Sequence, residues 1–498
     1  MVFSSPIFLF LFLPVFLLLY GTLMAVSNRS ADSHGRRRAM SAANGLLLVA
    51  SLLFYFWGEQ WIILVMLTST TIDYCCGLYI GRSNDLQKRR TAVLVSVAAN
   101  LSLLGFFKYL NFGVDAVNTL LHNMNIAGDG IRLGLDVALP LGISFYTFQS
   151  MSYTIDVYRG VVRPNKRFGE FACYVTMFPQ LVAGPIIRYQ DIGRQLAART
   201  VTRDGFAEGC TRFVVGLGKK VLIADTLAVG VDGIFAVPGD RLTFTMAWLG
   251  LFAFVVQVYH DFAGYSDMAI GLGRMLGFRF KENFNYPYVA TSVTEFWRRW
   301  HISLSTWFRD YCYRPLRGER GGAARRYQSL FVVFVLIGLW HGANWTFIAF
   351  GIYHASFVVI ERAWLARRLS RVPPLLGYCY AIPVIYTSFL IFRAESMEQV
   401  LSFLRVMVGN GEGDNAYYNA AMYFSPEVTC ALIAGAVFCM PVGKWLSAGR
   451  RKLTTGLLRT LVEPSMVTGQ VAFLCVVLLL SLISVSANTY TPFIYFRF

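Results

Sequence analysis

"SLFVVFVLIGLWHGANWTFIAFGIYHASFVVI", residues 329–360, contains no Asp, Glu, Lys or Arg. A helix needs about 20 mostly apolar residues to cross a bilayer, so this stretch reads as a membrane span. Near its middle stands a histidine, His341, within "GLWHGANW" (338–345). An ionisable side chain at that depth costs roughly 2.5 kcal/mol or more when charged, and its presence points to function.

The rest of the chain fits a membrane setting. Of its 498 residues 56% are hydrophobic and 15% charged, whereas globular domains carry about 25% charged residues. Apolar segments recur at 6–26, 45–57, 61–80, 92–107, 135–151, 171–187, 213–231, 244–272, 330–360, 379–392, 428–442 and 471–485. Their lengths predict an all-α polytopic integral membrane protein of roughly ten to twelve spans, a few of them tilted or re-entrant. The first segment has no preceding positive residue and exceeds the usual h-region of a signal peptide, so it is expected to be an uncleaved span.

The net charge of +17 comes largely from short clusters: "RRR" at 36–38, "KRR" at 88–90, "RPNKR" at 163–167, "RR" at 325–326 and "RRK" at 450–452. Such clusters beside spans mark cytoplasmic loops, which places the N-terminus outside. They lack any recognisable nucleic-acid-binding module, and no nucleic-acid partner is expected. The nine cysteines are scattered without a C-x-x-C and read as small hydrophobes.

No soluble domain or internal repeat interrupts the spans. Gly and Pro inside "ALPLGISFY" (138–146) and "MFPQLVAGPIIRY" (177–189) suggest broken helices lining a protein interior. The least apolar long stretch is 281–326, an amphipathic segment expected to face the cytoplasm. At helical spacing Trp297, Trp300, His301, Leu304 and Phe308 share a face, and Glu295 can pair with Arg299 at i, i+4.

Of the six histidines, His341 and His354 stand 13 residues apart. On one continuous helix that is about 220° around the axis and near 20 Å along it, so they could not share an ion. No metal-ligand spacing occurs elsewhere, and no metal is expected. "GLGKK" (216–220) fails as a phosphate loop, with Phe213 in place of the first Gly and Lys220 in place of Ser or Thr. "GISFY" (142–146) lacks the second Gly of a nucleophile elbow. His341 keeps Gly338 and Gly342 as a G-x-x-x-G for close helix approach, Trp340 and Trp345 as flat walls, and Asn344 as a partner able to orient the imidazole. A second polar cluster, "QVYHDFAGYSDMAIGLG" (257–273), puts Asp261, Tyr265 and Asp267 in an apolar run, where carboxylates need partners from the bundle interior.

"EFWRRWHISLSTWFRDYCYRPL" (295–316) followed by "GLWHGANW" resembles the membrane-bound O-acyltransferase family. Within it, "KYLNFGVD" (108–115), "LPLGISFYTFQSMSYTIDVYRG" (139–160), "FPQLVAGPIIRY" (178–189), "KKVLIADTLA" (219–228), "DFAGYSDMAIGLG" (261–273) and the tail "NTYTPFIYFRF" (488–498) are similar to the bacterial alginate O-acetyltransferase subgroup. The resemblance implies a bundle of about eleven transmembrane helices with re-entrant helices around a central pore. His341 corresponds to its catalytic histidine and His301 to its second important position. Trp340, Trp345, Trp297, Trp300, Asp261, Tyr265 and Asp267 would line the pore. It further implies an inner-membrane enzyme without a permanent cofactor. Acetyl-CoA would be the cytoplasmic donor, and a periplasmic esterase-like partner would pass acetyl groups to an exopolysaccharide. Alginate is the expected polymer, with cellulose or another glycan as alternatives. Two departures stand out: Ala263 replaces a Ser, and "RGERGGAARR" (317–326) is a variant loop.

Imidazole suits this chemistry, since acyl transfer to a hydroxyl needs a base near neutral pH. Asn344 or His301 would then orient that base or stabilise the oxyanion. A transporter for an acyl carrier would share the broken helices and intramembrane polar groups, but would tolerate a neutral isostere of His341. The charge pattern also makes a topological prediction. A cysteine placed at Gly321 should react with an impermeant thiol reagent only after cells are opened, and labelling of intact spheroplasts would reverse the orientation.

Overall fold

In hydrocarbon every backbone amide must be bonded within its own segment or inside the protein, which selects helices. The computed structural model describes residues 2–30, 32–126, 131, 137–319, 321–411, 413, 419–445 and 457–487, and these contain helices and turns but no strand. The tail 488–498, Arg320, the triplet 450–452 and the start of the 135–151 segment lie outside the described residues.

In chain order, α1 (Leu13–Arg29) follows a π turn at Phe8–Phe12, and α2 (Ser33–Glu59), α3 (Ile63–Arg82) and α4 (Leu86–Asn123) run after it. Then come α5 (Ile143–Tyr158), the short α6 (Phe168–Thr176), α7 (Phe178–Leu181) and α8 (Tyr189–Ala197). α9 (Arg203–Gly218) continues through a π turn at Lys219–Ala224 into α10 (Asp225–Phe235), and α11 is Phe244–Met275. The short α12 (Val293–Arg299), α13 (Ile302–Phe308) and α14 (Arg314–Arg317) precede α15 (Ala323–His341) and α16 (Trp345–Ile360). α17 (Ala366–Leu369), α18 (Pro374–Arg393), α19 (Met397–Met407), α20 (Pro426–Phe438) and a last helix, Leu457–Ser486, complete the chain.

Eight helical stretches among the described residues are long and apolar enough to cross a membrane, one of them, Ser33–Arg82, holding both α2 and α3. α9 and α10 form a rod of comparable length but carry Lys219, Lys220, Asp225 and Asp232, too many charges for a lipid-facing span.

Three of the expected segments are broken. Residues 329–360 are not one span: α15 ends at His341, and Asn344 restarts the helix by accepting from the Thr346 amide at 3.2 Å. Residues 171–187 divide at Met177, and in the described part of 135–151 the helix begins only after Gly142, whose φ is +73°. Each break places irregular backbone inside protein, the one setting where the bilayer tolerates it.

Hydrogen bonds define the two ends of the bundle. At one end Arg89, near the start of α4, bonds the Tyr158 carbonyl, and Arg159 bonds that of Asp310. The ion pair Arg188–Asp310 (2.8 Å) and the Arg325–Leu316 contact bring the start of α15 to the same end. At the other end Glu59 accepts from the Leu141 amide, and Lys108 and Tyr109 reach the last carbonyls of α15. His341 therefore lies at the end opposite the basic loops.

α11 is the pillar of the bundle, buried along most of its length. It meets α9 through two reciprocal glycine pairs. A Cβ on Gly216 would stand 2.7 Å from the Gly264 carbonyl, and one on Gly271 would stand 2.7 Å from that of Gly209. Small residues at a seven-residue interval let the two backbones approach as closely as helices do in membranes. Gly216→Leu or Gly264→Leu should therefore destabilise the protein by about 1–3 kcal/mol, read as a lower unfolding temperature in detergent. Gly105→Leu, whose Cβ meets nothing within 4 Å, should leave that temperature unchanged.

Candidate functional site

The imidazole of His341 sits where α15 stops. Its ring lies edge-on to Trp340, Phe350 and Phe392, with centroids 5.0, 5.6 and 5.3 Å away, and the residue is 3% exposed. The helix hairpin that carries it is tight because Gly338 faces Gly351: a Cβ on either would meet the backbone of the other helix. This cross-hairpin pair, not Gly338 with Gly342, provides the close approach. Folding back also brings His354 against the same Phe350 ring (4.6 Å) that touches His341, so the separation expected of one continuous helix does not apply.

A helix end leaves its last carbonyls without intrahelical donors. Here Lys108 Nζ donates to Trp340 O at 2.5 Å and to His341 O at 3.1 Å, and Tyr109 Oη donates to Leu339 O. A cation at a helix C-terminus also meets the negative end of its dipole. Lys108 lines a cavity of about 80 Å³ together with Ser144, Phe145, Trp340 and His341.

His301 approaches from the other side. It sits between α12 and α13 with φ +43° and ψ +55°, a left-handed conformation that costs a non-glycine residue of order 1 kcal/mol. The segment 283–285 holds that break open: the Ile302 amide donates to Asn283 O and the Asn285 amide to Arg299 O, both at 2.9 Å. His301 Nδ1 is 3.2 Å from Asn283 Oδ1, and its ring is enclosed by Phe262 (4.7 Å), Trp340 (5.7 Å) and Phe145 (6.3 Å). Asn283 also lines a cavity of about 1040 Å³ with Arg212, Lys219, Asp267, Glu282 and Tyr286, at the end of the bundle where the basic loops lie. The His301–Trp340–His341 ring contacts thus link the neighbourhoods of two cavities lined by residues toward opposite ends of the bundle.

The family profile described as membrane-bound O-acyltransferase matches residues 163–394, which hold both His301 and His341. A protein of Azotobacter vinelandii named "Probable alginate O-acetylase" is 43% identical over 88% of this chain and 84% of its own length. One of Pseudomonas putida with the same name is 41% identical over the whole of both chains. The "Peptidoglycan O-acetyltransferase" of Helicobacter pylori is 33% identical over 88% of this chain and 89% of its own. The chain belongs to the membrane-bound O-acyltransferase family. It is a multi-pass membrane O-acyltransferase.

Within this acyltransferase the structure redistributes the expected site residues. Trp297, Trp300 and His301 do not share one helical face, since α12 ends at Arg299, yet all three are buried in the same core. Trp297 donates its indole N–H to His354 Nδ1 at 3.2 Å. Asn344 caps α16 and donates to the Glu395 carbonyl, so its amide is committed to backbone and does not orient His341. Trp345 is 60% exposed, rests on Phe112 and is absent from the lining of the small cavity beside His341. Tyr265 stacks on Phe3 and Asp261 pairs with Lys220 at 2.7 Å; neither lines a cavity described here. Asp267 does line the larger one, held by Arg212 and Lys219 at 2.8 and 2.7 Å. Glu295 pairs with Arg299 at 2.8 Å, as the i, i+4 spacing predicts. All nine cysteines are free, and of these Cys173 and Cys439 are buried. Among the described residues no three His, Cys, Asp or Glu side chains gather as a metal site.

Sequence reasoning passed over Lys108, Asn283, Arg212 and Glu361. Lys108 had a signal, a lone charge inside "LSLLGFFKYLNF" (101–112). Asn283 had none. Glu361, 1% exposed, accepts from the Val293 and Thr294 amides and so fixes the start of α12 from the end of α16. At the basic end, burial raises the Asp310 carboxyl, but hydrogen bonds from Arg309 and Arg188 outweigh it and hold the pKa below the ordinary carboxylate value.

Removing the cation that pins α15 frees the carbonyl beside the imidazole. Lys108→Met should lower kcat by about tenfold, the equivalent of one charge-assisted hydrogen bond, in protein that still elutes as a monodisperse species. Lys108→Arg should lose less, and equal losses for Met and Arg would mean that the cap is irrelevant.

Proposed function

We propose that this chain moves acetyl groups from acetyl-CoA on the cytoplasmic side to a hydroxyl on the outer side, for O-acetylation of an exopolysaccharide, alginate in the first instance. The observation that carries this reading is the placement of His341 in the wall of a small cavity at one end, joined by ring contacts through His301 to a large cavity at the other. The names of the relatives in Azotobacter vinelandii and Pseudomonas putida support the polymer. The basic loops set the orientation: they lie at the end of the large cavity, which becomes the cytoplasmic end of a bacterial inner-membrane protein whose N-terminus is outside.

In the reaction His341 takes the proton of the acceptor hydroxyl as the oxygen bonds to the thioester carbonyl. The C–S bond then breaks, and the imidazolium returns the proton to the departing thiolate. No acyl-enzyme forms on this chain. Excluding water from the site protects the thioester from hydrolysis.

The acceptor at the small cavity is a hydroxyl of a periplasmic esterase-like partner, which passes the acetyl group to the glycan. Size supports this. An apolar cavity of about 150 Å³ accommodates one benzene, so 80 Å³ is too small for a pyranose ring within a polymer but adequate for a hydroxymethyl group.

His341→Gln, and independently His341→Ala, should abolish polymer acetylation while leaving membrane protein level unchanged. Near-normal acetyl content in a well-expressed variant would remove His341 from the reaction and favour a carrier without chemistry.

A further inference from the structure

We infer that Asn283 is a positioning residue that locks His301 as the Nδ1–H tautomer, leaving Nε2 as a hydrogen-bond acceptor within the aromatic enclosure. Hydrogen positions and amide orientations have to be deduced from partners, and here the partners leave one solution. The amide of Ser303 can only donate, and it points at Asn283 Oδ1 from 3.2 Å. Ser303 Oγ accepts from the Ile186 amide at 3.0 Å and gives its own proton to the same Oδ1 at 2.9 Å. On the other branch, Asn283 Nδ2 donates to Ser266 Oγ at 3.1 Å. The atom facing His301 Nδ1 is therefore an oxygen with no proton to offer, and Nδ1 must carry the hydrogen.

A neutral imidazole holds one proton, so Nε2 carries a lone pair. Asn283 and His301 are both 0% exposed, and Nε2 has no hydrogen-bond partner among the described residues. An unmet buried acceptor costs about 1–3 kcal/mol. Another buried imidazole, that of His354, is set the opposite way: the Trp297 indole can only donate, which makes His354 Nδ1 the acceptor and puts its proton on Nε2.

The consequence rests on the reading that His301 serves acyl transfer. Neutral His301 accepts a hydrogen bond from a substrate group through Nε2 and cannot donate one to the oxyanion, which assigns it a part in aligning the substrate while His341 takes the proton.

The test is nitrogen NMR of the full-length protein in detergent, selectively labelled at histidine, with the His301 signals assigned by their loss in His301→Gln. The expected spectrum has a protonated Nδ1 and an unprotonated Nε2. A protonated Nε2 on His301 would overturn the proposal, and this readout stands whether or not the chain acetylates a polymer. Kinetically, Asn283→Asp keeps an acceptor toward Ser303 and His301 and should retain kcat within about threefold. Asn283→Leu should lose roughly tenfold or more in kcat with little change in KM for the thioester, in keeping with the large penalty for a wrong imidazole tautomer. A folded Leu variant with full kcat and an unchanged tautomer would refute the positioning role. Should that variant fail to fold, the wild-type spectrum alone decides.

Discussion

A helix can stop inside a membrane protein only if its last carbonyls find donors. The end of α15 meets that requirement with two consecutive side chains of α4: Lys108 on Trp340 O and His341 O, and Tyr109 on Leu339 O. This cap makes possible the turn at 342–344, and the turn makes the hairpin. An uninterrupted helix would have carried His341 through the bundle without presenting it beside a cavity. The position of the imidazole is thus a consequence of how the backbone's polar groups are satisfied.

The same principle organises the opposing wall. His301 occupies a left-handed backbone position between two seven-residue helices, too short to be stable alone. They persist because their ends are tied to distant parts of the chain. Glu361 caps the start of α12, while Asn283 bonds the backbone of Ile302 and Ser303 at the start of α13. Trp300 and Trp307 pack their indoles on Phe389 and Phe148 (5.2 and 3.9 Å). Aromatic mass then excludes water from the region between the cavities, and a few buried polar bonds fix ring orientation within it.

Packing of α9 on α11 gives the scaffold its rigidity. Glycine pairs remove side chains from that interface, and the charges carried by α9 and the following π turn are met by those of α11: Arg212 and Lys219 on Asp267, and Lys220 on Asp261. Breaking a buried pair by removing one partner leaves an uncompensated charge, which is strongly destabilising. Asp261 is accordingly part of the frame, while Asp267 serves both the frame and the wall of the large cavity.

Local chemistry was legible without coordinates. The lack of charge in 329–360 gave the membrane class, the solitary imidazole in "LWHGANW" singled out His341 as a candidate site residue, and the spacing of Glu295 and Arg299 gave their ion pair. Each depends on residues close in the chain or on the cost of placing them in hydrocarbon. The break at 342–344 was not legible, because its decisive donors come from Lys108 and Tyr109, more than 200 positions away. The commitment of Asn344 to capping, the outward face of Trp345 and the role of Asn283 were hidden for the same reason. A polar side chain's function is set by whichever partner the fold brings within hydrogen-bond reach, and that choice belongs to the tertiary structure.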